Sequence, residues 1–287
     1  MKNIVAFSGG KDSLALLLWV LKSKGSKNLI VIFCDTGWES PVTYEHIQYI
    51  EKQTNLKFVR LKSSKYSDFK DLSIKRKRVP STMARFCTSE LKVKPMIDFI
   101  LSLNENCIVY QGIRSDESKS RSQMNSHCQY FKYYTVPKKY KNGKPVYDDY
   151  RRKDVLKYIE NFSVEVERPL FDWSAEDVFS FIASNGFEPN PLYKQGFSRV
   201  GCFPCVMCRH GEIVNIAKKF PERIEEIRKL ESEIGRSFFP PNYIPKQHCS
   251  NKEYPMIDDV LKYKNVNSEQ QELFDKPSCE SIYNICE

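Results

Sequence analysis

Residues 4–19 read Ile-Val-Ala-Phe-Ser-Gly-Gly-Lys-Asp-Ser-Leu-Ala-Leu-Leu-Leu-Trp, and this stretch decides the fold. Ile4 to Phe7 is a short apolar run of β-strand type, while Leu14 to Trp19 is apolar on every side, the pattern of a buried helix. Between them Ser8-Gly9-Gly10-Lys11-Asp12-Ser13 forms a glycine-rich turn that runs into a helix N-terminus. Such a turn is a phosphate cradle, because its backbone can approach an anion and the unpaired N–H groups and helix dipole favour negative charge. Lys11 adds a point charge, and Ser8 and Ser13 add hydroxyl donors. The spacing differs from the Walker loop, which has four residues between its first glycine and the Gly-Lys pair.

Working outward, strand and helix patterns alternate. Leu29 to Phe33 is a continuous β-rich run suited to a parallel strand covered on both faces. Asp35-Thr36-Gly37 follows it, and Pro41 to Thr54 is a predicted helix with Ser40 as its cap. Lys57 to Leu61 and Cys107 to Tyr110 are further strands, and Lys94 to Leu103 a helix. This order predicts an α/β fold, an open and mostly parallel sheet with helices on both faces. Ligands of such sheets bind beyond the carboxyl ends of the strands, where Ser8–Ser13, Asp35–Trp38 and Gly112–Arg114 all fall. From about Arg168 the pattern changes to a mainly helical, cysteine-containing extension, with helices at Ala175–Asn185 and Pro221–Gly235. The expected division is 1–170 for the nucleotide domain and 171–287 for a substrate or cluster lobe and tail.

The chain has 287 residues, 41% hydrophobic and 28% charged, with a net charge of +9. It is composed like a globular protein. No apolar stretch approaches the roughly 20 residues that span a bilayer, and no secretory leader pattern precedes the first strand. The expected location is the cytoplasm. Disulfides are uncommon there, so ten cysteines point to metal binding or sulfur chemistry. The positive charge suits a phosphorylated small molecule or a nucleic acid. A basic, tyrosine-rich stretch at 128–152, with Asn142-Gly143 as a tight turn, reads as a projecting hairpin. Its rings could stack on bases or merely form an exposed ribbon.

Cys202, Cys205 and Cys208 recur at intervals of three, a spacing that directs thiolates to one metal centre. Cys87 is the candidate fourth ligand of an iron–sulfur cluster, and His210 the alternative for a zinc site. Gly112 to Arg121 carries Arg114 and Arg121, which are able to fork onto phosphate or sulfate oxygens.

Together these segments resemble the phosphoadenosine phosphosulfate reductase family of the PP-loop, or adenine nucleotide α-hydrolase, superfamily. Ser8–Ser13 matches the PP-loop and Asp35-Thr36-Gly37-Trp38 the Asp-Thr-Gly segment. Gly112–Arg121 is similar to the family's substrate loop, and Gly196–Cys205 to the approach to its Cys-x-x-Cys pair. Cys87 with Lys92-Val93-Lys94-Pro95 resembles the cluster-containing adenylyl-sulfate branch. The resemblance implies nucleotide binding by Ser8, Gly9, Gly10, Lys11, Asp12, Ser13, Asp35, Thr36, Gly37, Gly112 and Arg114. It implies catalytic roles for Lys11, Asp12, Arg114 and Arg121, and a 4Fe–4S cluster on Cys87, Cys202, Cys205 and Cys208. Reduction of an adenylyl-sulfate would use a thioredoxin-type thiol donor. The chain departs from the family in two places. Phe86 stands where the adenylyl-sulfate branch has the first cysteine of a pair, and the ending Asn284-Ile285-Cys286-Glu287 lacks the usual catalytic tail motif, which leaves Cys286 as the candidate nucleophile. Two alternatives stand beside reduction. One is ATP-dependent sulfur transfer to tRNA or DNA, with magnesium placed by Asp12, Asp35 or Glu39. The other is a non-catalytic nucleotide-binding component of a defence or mobile-element system.

Overall fold

Strand β1 (Lys2–Phe7) lies in the interior of a six-stranded sheet, with Ile4 and Val5 fully buried. The computed structural model describes residues 1–81, 84–251 and 253–263. With β2 (Leu29–Cys34), β3 (Phe58–Leu61), β4 (Cys107–Tyr110), β5 (His127–Gln129) and β8 (Val164–Glu167), the sheet order is β3-β2-β1-β4-β8-β5. All pairs are parallel except β5 with β8. A separate two-stranded ribbon joins β6 (Lys139–Lys141) to β7 (Lys144–Val146).

The apolar run after the glycine turn becomes helix α1 (Lys11–Lys24), in which Leu14, Ala15, Leu16 and Leu17 are fully buried. Each buried leucine contributes roughly 1.5–3 kcal/mol. The helix ends where the N–H of Gly25 returns to Leu21 O at 3.0 Å. Helix α2 occupies Pro41–Thr54 as expected, but Ser40 does not cap it through its side chain. Its hydroxyl is buried without a partner among the described residues, while its carbonyl accepts from Thr43 N and Tyr44 N. Pro41 at the first position, its ring preset to a helical angle, starts the helix instead. The Lys94–Leu103 helix and the Cys107–Tyr110 strand also match expectation. Strands β5 and β8 are additions, and the projecting ribbon is shorter than 128–152 because Cys128 pairs within the main sheet.

The chain groups into two units, each discontinuous, rather than dividing at residue 170. The first contains Met1–Cys34, His46–Leu61 and Val93–Pro189. Helix Ala175–Ser184 belongs to it, capped by Ser174 with Asp177, and its Phe179 ring lies beneath Lys11. The second contains Asp35–Glu45, Lys62–Lys92 and the described residues from Asn190 onward. Its core holds fully buried Trp38 stacked on Phe69 at 4.9 Å, and a cluster of Phe197, Phe203 and Phe220.

In this second unit Glu231, only 1% exposed, accepts from Phe238 N at 2.8 Å and Ile257 N at 2.9 Å. Burial outweighs these two donors and pushes its carboxyl up to about 7. A raised acid stabilises the fold fully below about pH 4.5 and loses that contribution as pH climbs through about 7. Unfolding free energy should therefore fall across this window, and the slope should flatten in Glu231→Gln; urea titrations at several pH values check it.

Candidate functional site

In the first unit, β1 and β4 are neighbours from which the strand order runs in opposite directions, so the sheet has its switch point between them. The Ser8–Ser13 turn leaves the carboxyl end of β1, and Gln111–Arg114 leaves that of β4. Within the turn, Ser8 N donates to Ser13 Oγ at 3.1 Å, and Ser13 Oγ donates to Gly10 O at 2.8 Å. Gly10 precedes α1 in an extended conformation and offers no side-chain cap. The helix start is thereby shaped without a carboxylate or hydroxyl cap of its own at that position, which suits an external anion.

The charged groups expected to hold that anion are engaged with one another. Lys11 Nζ lies 3.1 Å from Asp12 Oδ2. Arg114, 4% exposed, donates from Nε to Asp12 Oδ1 at 2.6 Å and from one terminal nitrogen to both Asp116 oxygens at 2.5 Å. The same nitrogen donates to Trp173 O at 3.2 Å. Burial opposes the charge on Arg114, but Asp12 and Asp116 more than offset it, and the guanidinium pKa rises. Arg121 is paired with Glu117, which also accepts from Arg114 N at 3.0 Å. Arg114 and Arg121 are thus tied to carboxylates of their own unit, and the acidic partners Asp116 and Glu117 went unassigned in the sequence. The i,i+4 spacing of Glu117 and Arg121 was the available signal.

Gly112 is the close-approach point of this site. A Cβ there would lie 2.7 Å from Asp12 O and 2.9 Å from Asp12 C. These are backbone atoms, so no rotamer change relieves the clash. Gly112→Ala should cost about 1–3 kcal/mol, as overpacking does, and weaken nucleotide binding by displacing the Asp12 turn. Thermal melts and calorimetric titration with ATP and adenylyl-sulfate check both effects.

In the second unit, Asp35, Thr36 and Glu39 form a tight hydrogen-bonded corner. Glu39, 3% exposed, accepts from Thr36 Oγ1 at 2.7 Å, from Thr36 N and Trp38 N at 3.2 Å, and from Tyr44 Oη at 3.0 Å. Asp35 accepts from Tyr44 Oη at 2.6 Å and Gly37 N at 3.0 Å and pairs with Lys62 at 3.2 Å. Burial raises the Asp35 carboxyl, yet these donors together hold it below the usual range. Gly37 combines φ +63° with a Cβ position 2.5 Å from Asp68 Cβ, so only glycine fits there. Glu39 is spent on internal donors rather than presented to a cation. The corner also fixes the cysteine loop. Glu39 bridges Cys202, Phe203 N donates to Trp38 O at 2.8 Å, and Trp38 Nε1 donates to Pro204 O at 3.0 Å. Arg223 closes it from below, donating to Glu39 O at 3.0 Å with its guanidinium 4.6 Å from the Trp38 ring centre.

Cys87, Cys202, Cys205 and Cys208 are all free thiols of this unit. Burial raises the Cys87 thiol, helped by Cys205, and pushes Cys202 up to about 11, with Lys92 opposing and Glu39, Cys205 and Cys87 adding. These three are therefore in electrostatic reach of one another. Cys208 is pushed up to about 12 by burial and Glu212; its sulfur lies 4.0 Å from Tyr243 Oη, and only Cys205 among the thiols acts on it. His210 has its Nε2 2.5 Å from Tyr243 O, which engages that ring nitrogen and leaves Nδ1 as the one able to ligate. Among the described residues, no three His, Cys, Asp or Glu side chains are gathered to metal-binding distance. Four free thiols are nonetheless the donor type that a thiophilic centre takes. Cys279 and Cys286 lie outside the described residues.

A family model described as the phosphoadenosine phosphosulfate reductase domain matches residues 2–208, a span that takes in the PP-loop, the Arg114 loop and all four thiols. An uncharacterized 37.8 kDa protein of Escherichia phage 186 is 27% identical, covering 99% of this chain and 96% of that protein. An uncharacterized protein of Methanocaldococcus jannaschii is 30% identical over 78% of this chain, which spans 40% of its length. The phosphoadenosine 5'-phosphosulfate reductase of Buchnera aphidicola is 27% identical, with 69% of this chain and 68% of that protein covered.

Proposed function

Because this chain belongs to the phosphoadenosine phosphosulfate reductase domain family, we propose that it is an adenine-nucleotide enzyme of sulfur metabolism, reducing an adenylyl-sulfate or phosphoadenylyl-sulfate. The observation that carries this reading is the meeting of the Ser8–Ser13 turn and the Gly112–Arg114 loop at the β1–β4 switch point. The first-turn amides of α1 bind the phosphate, and Lys11 shifts from Asp12 to the incoming anion. Asp12 then remains neutralised by Arg114, so the turn keeps its shape as the lysine moves. A cysteine thiolate attacks the sulfate sulfur, the sulfur–oxygen bond to the nucleotide breaks, and the adenylate leaves. A thioredoxin-type dithiol next reduces the S-sulfo cysteine, is itself oxidised to the disulfide, and sulfite departs. Cys286 is the nucleophile in this proposal. Cys87, Cys202, Cys205 and Cys208 would hold a 4Fe–4S cluster, which when bound would tune the electrostatic field around it.

One observation favours a second reading. Both arginines of the substrate loop are committed to carboxylates, which leaves the sulfate end without a free guanidinium there. The same turn then takes ATP with magnesium, and attack on the α-phosphate releases pyrophosphate for sulfur transfer. Among the described residues no helix is long and apolar enough to cross a membrane, and we place the protein in the cytoplasm. Anaerobically purified protein given adenylyl-sulfate, phosphoadenylyl-sulfate or ATP, with thioredoxin as reductant, separates the readings. Sulfite release supports reduction, pyrophosphate release supports activation, and binding of none of the three overturns both.

A further inference from the structure

The β6–β7 ribbon stands outside the main sheet, and its residues are exposed apart from half-buried Val146. Asn142 and Gly143, at φ 51° and 73°, make the tight turn. Its base is fixed: Lys138 N donates to Val146 O at 2.8 Å, and Lys138 Nζ pairs with Asp148 at 3.1 Å. Residues 132–153 contain eight basic and two acidic side chains, a net +6 in 22 residues, against +9 for all 287. Lys138, Lys139, Lys141 and Lys144 lie on the ribbon and its base, whereas Arg151 is paired with Asp98 and Asp154.

The charges are placed against the ribbon's own stability. Lys141 lies directly opposite Lys144 across the two strands, a like-charge pair that destabilises a hairpin. Lys139, Lys141 and Lys144 have no acidic partner among the described residues. A polyanion would remove that repulsion. Strand alternation sets Tyr140 on the face opposite Lys139 and Lys141, across from Pro145, and leaves it 70% exposed. At the root Tyr133, 41% exposed, has Lys132 and Lys138 at 5.8 and 5.7 Å from its ring centre. The exposed Tyr140 ring, on a ribbon whose Lys139, Lys141 and Lys144 have no acidic partner among the described residues, offers what unpaired bases and their phosphates require: a π-face for stacking and cations that track the backbone. A duplex would offer phosphates but no free base face, and a lipid surface would give Tyr140 no stacking partner.

We propose that the β6–β7 ribbon, with Tyr133 at its root, binds single-stranded nucleic acid. The proposal does not rest on the nucleotide site or the thiols, so its failure leaves the proposed function standing. The test uses the full chain and a fluorescently labelled 12-nucleotide strand, as DNA and as RNA, followed by anisotropy over a range of salt. Three phosphates contribute a slope of about 2 in log K against log salt, at roughly 0.7 each for single strands. The triple variant Lys139→Ala/Lys141→Ala/Lys144→Ala should lose that slope, and Tyr140→Ala should bind about tenfold more weakly with its slope unchanged. Thermal melts establish that both variants are folded; should the triple variant fail to fold, Tyr140→Ala alone decides. Equal binding of the duplex together with unchanged affinity in Tyr140→Ala would overturn the proposal. So would binding of phosphatidylserine vesicles in place of the strand, or wild-type affinity in the triple variant.

Discussion

Arg114→Ala should destabilise the protein by about 3–5 kcal/mol, the range for removing one partner of a buried ion pair. The lower end is expected, because Asp12 and Asp116 keep some access to water, with side chains 18% and 35% exposed. At roughly 2–4 °C per kcal/mol for a unit of this size, the midpoint falls by about 6–12 °C. The cause is specific. Alanine leaves two carboxylates facing each other across the space of the lost guanidinium, and Trp173 O loses a donor. Arg114→Lys should recover little, since an ammonium cannot fork to Asp12 and Asp116 together. A variant that keeps its stability and loses only nucleotide affinity would identify Arg114 as an anion clamp instead of an internal tie.

The second large effect is on metal content. Anaerobically purified wild type should carry about four iron and four sulfide per chain, and Cys205→Ser should carry almost none. Cys205 is one of the four thiols of the proposed set, so its replacement leaves the centre a ligand short. Cys107→Ser, a buried thiol of the first unit, should keep the full complement. Iron retained in Cys205→Ser would overturn the ligand set, and one zinc without sulfide would make the thiols a closed structural clamp.

Local chemistry made much of the architecture legible. Helices Pro41–Thr54 and Lys94–Leu103 announce themselves through proline near the first position and apolar spacing, and α1 through its unbroken apolar run. Strand β8 was missed because Val164-Glu165-Val166-Glu167 alternates valine with glutamate, the pattern of a half-exposed strand rather than of a continuous apolar run. The Arg114 loop was found but its state was not, since pairing with Asp12 joins residues 102 apart in the chain. For the same reason the contact of the Cys208 sulfur with Tyr243 Oη at 4.0 Å, across 35 residues of chain, could not be read from the spacing of the cysteines. Composition shifts along the chain locate where a pattern changes, whereas the second unit gathers Asp35–Glu45 and Lys62–Lys92 with residues far downstream.

That interleaving has a consequence for biosynthesis. As the chain leaves the ribosome, Trp38 and Phe69 emerge long before Phe203, Arg223 and Phe238, against or beside which they are built to sit. The nascent protein must therefore carry an unpaired apolar surface for well over a hundred residues of synthesis. On the ligand set proposed above, the donors are complete only once Cys208 has been translated, which would place any loading late in synthesis.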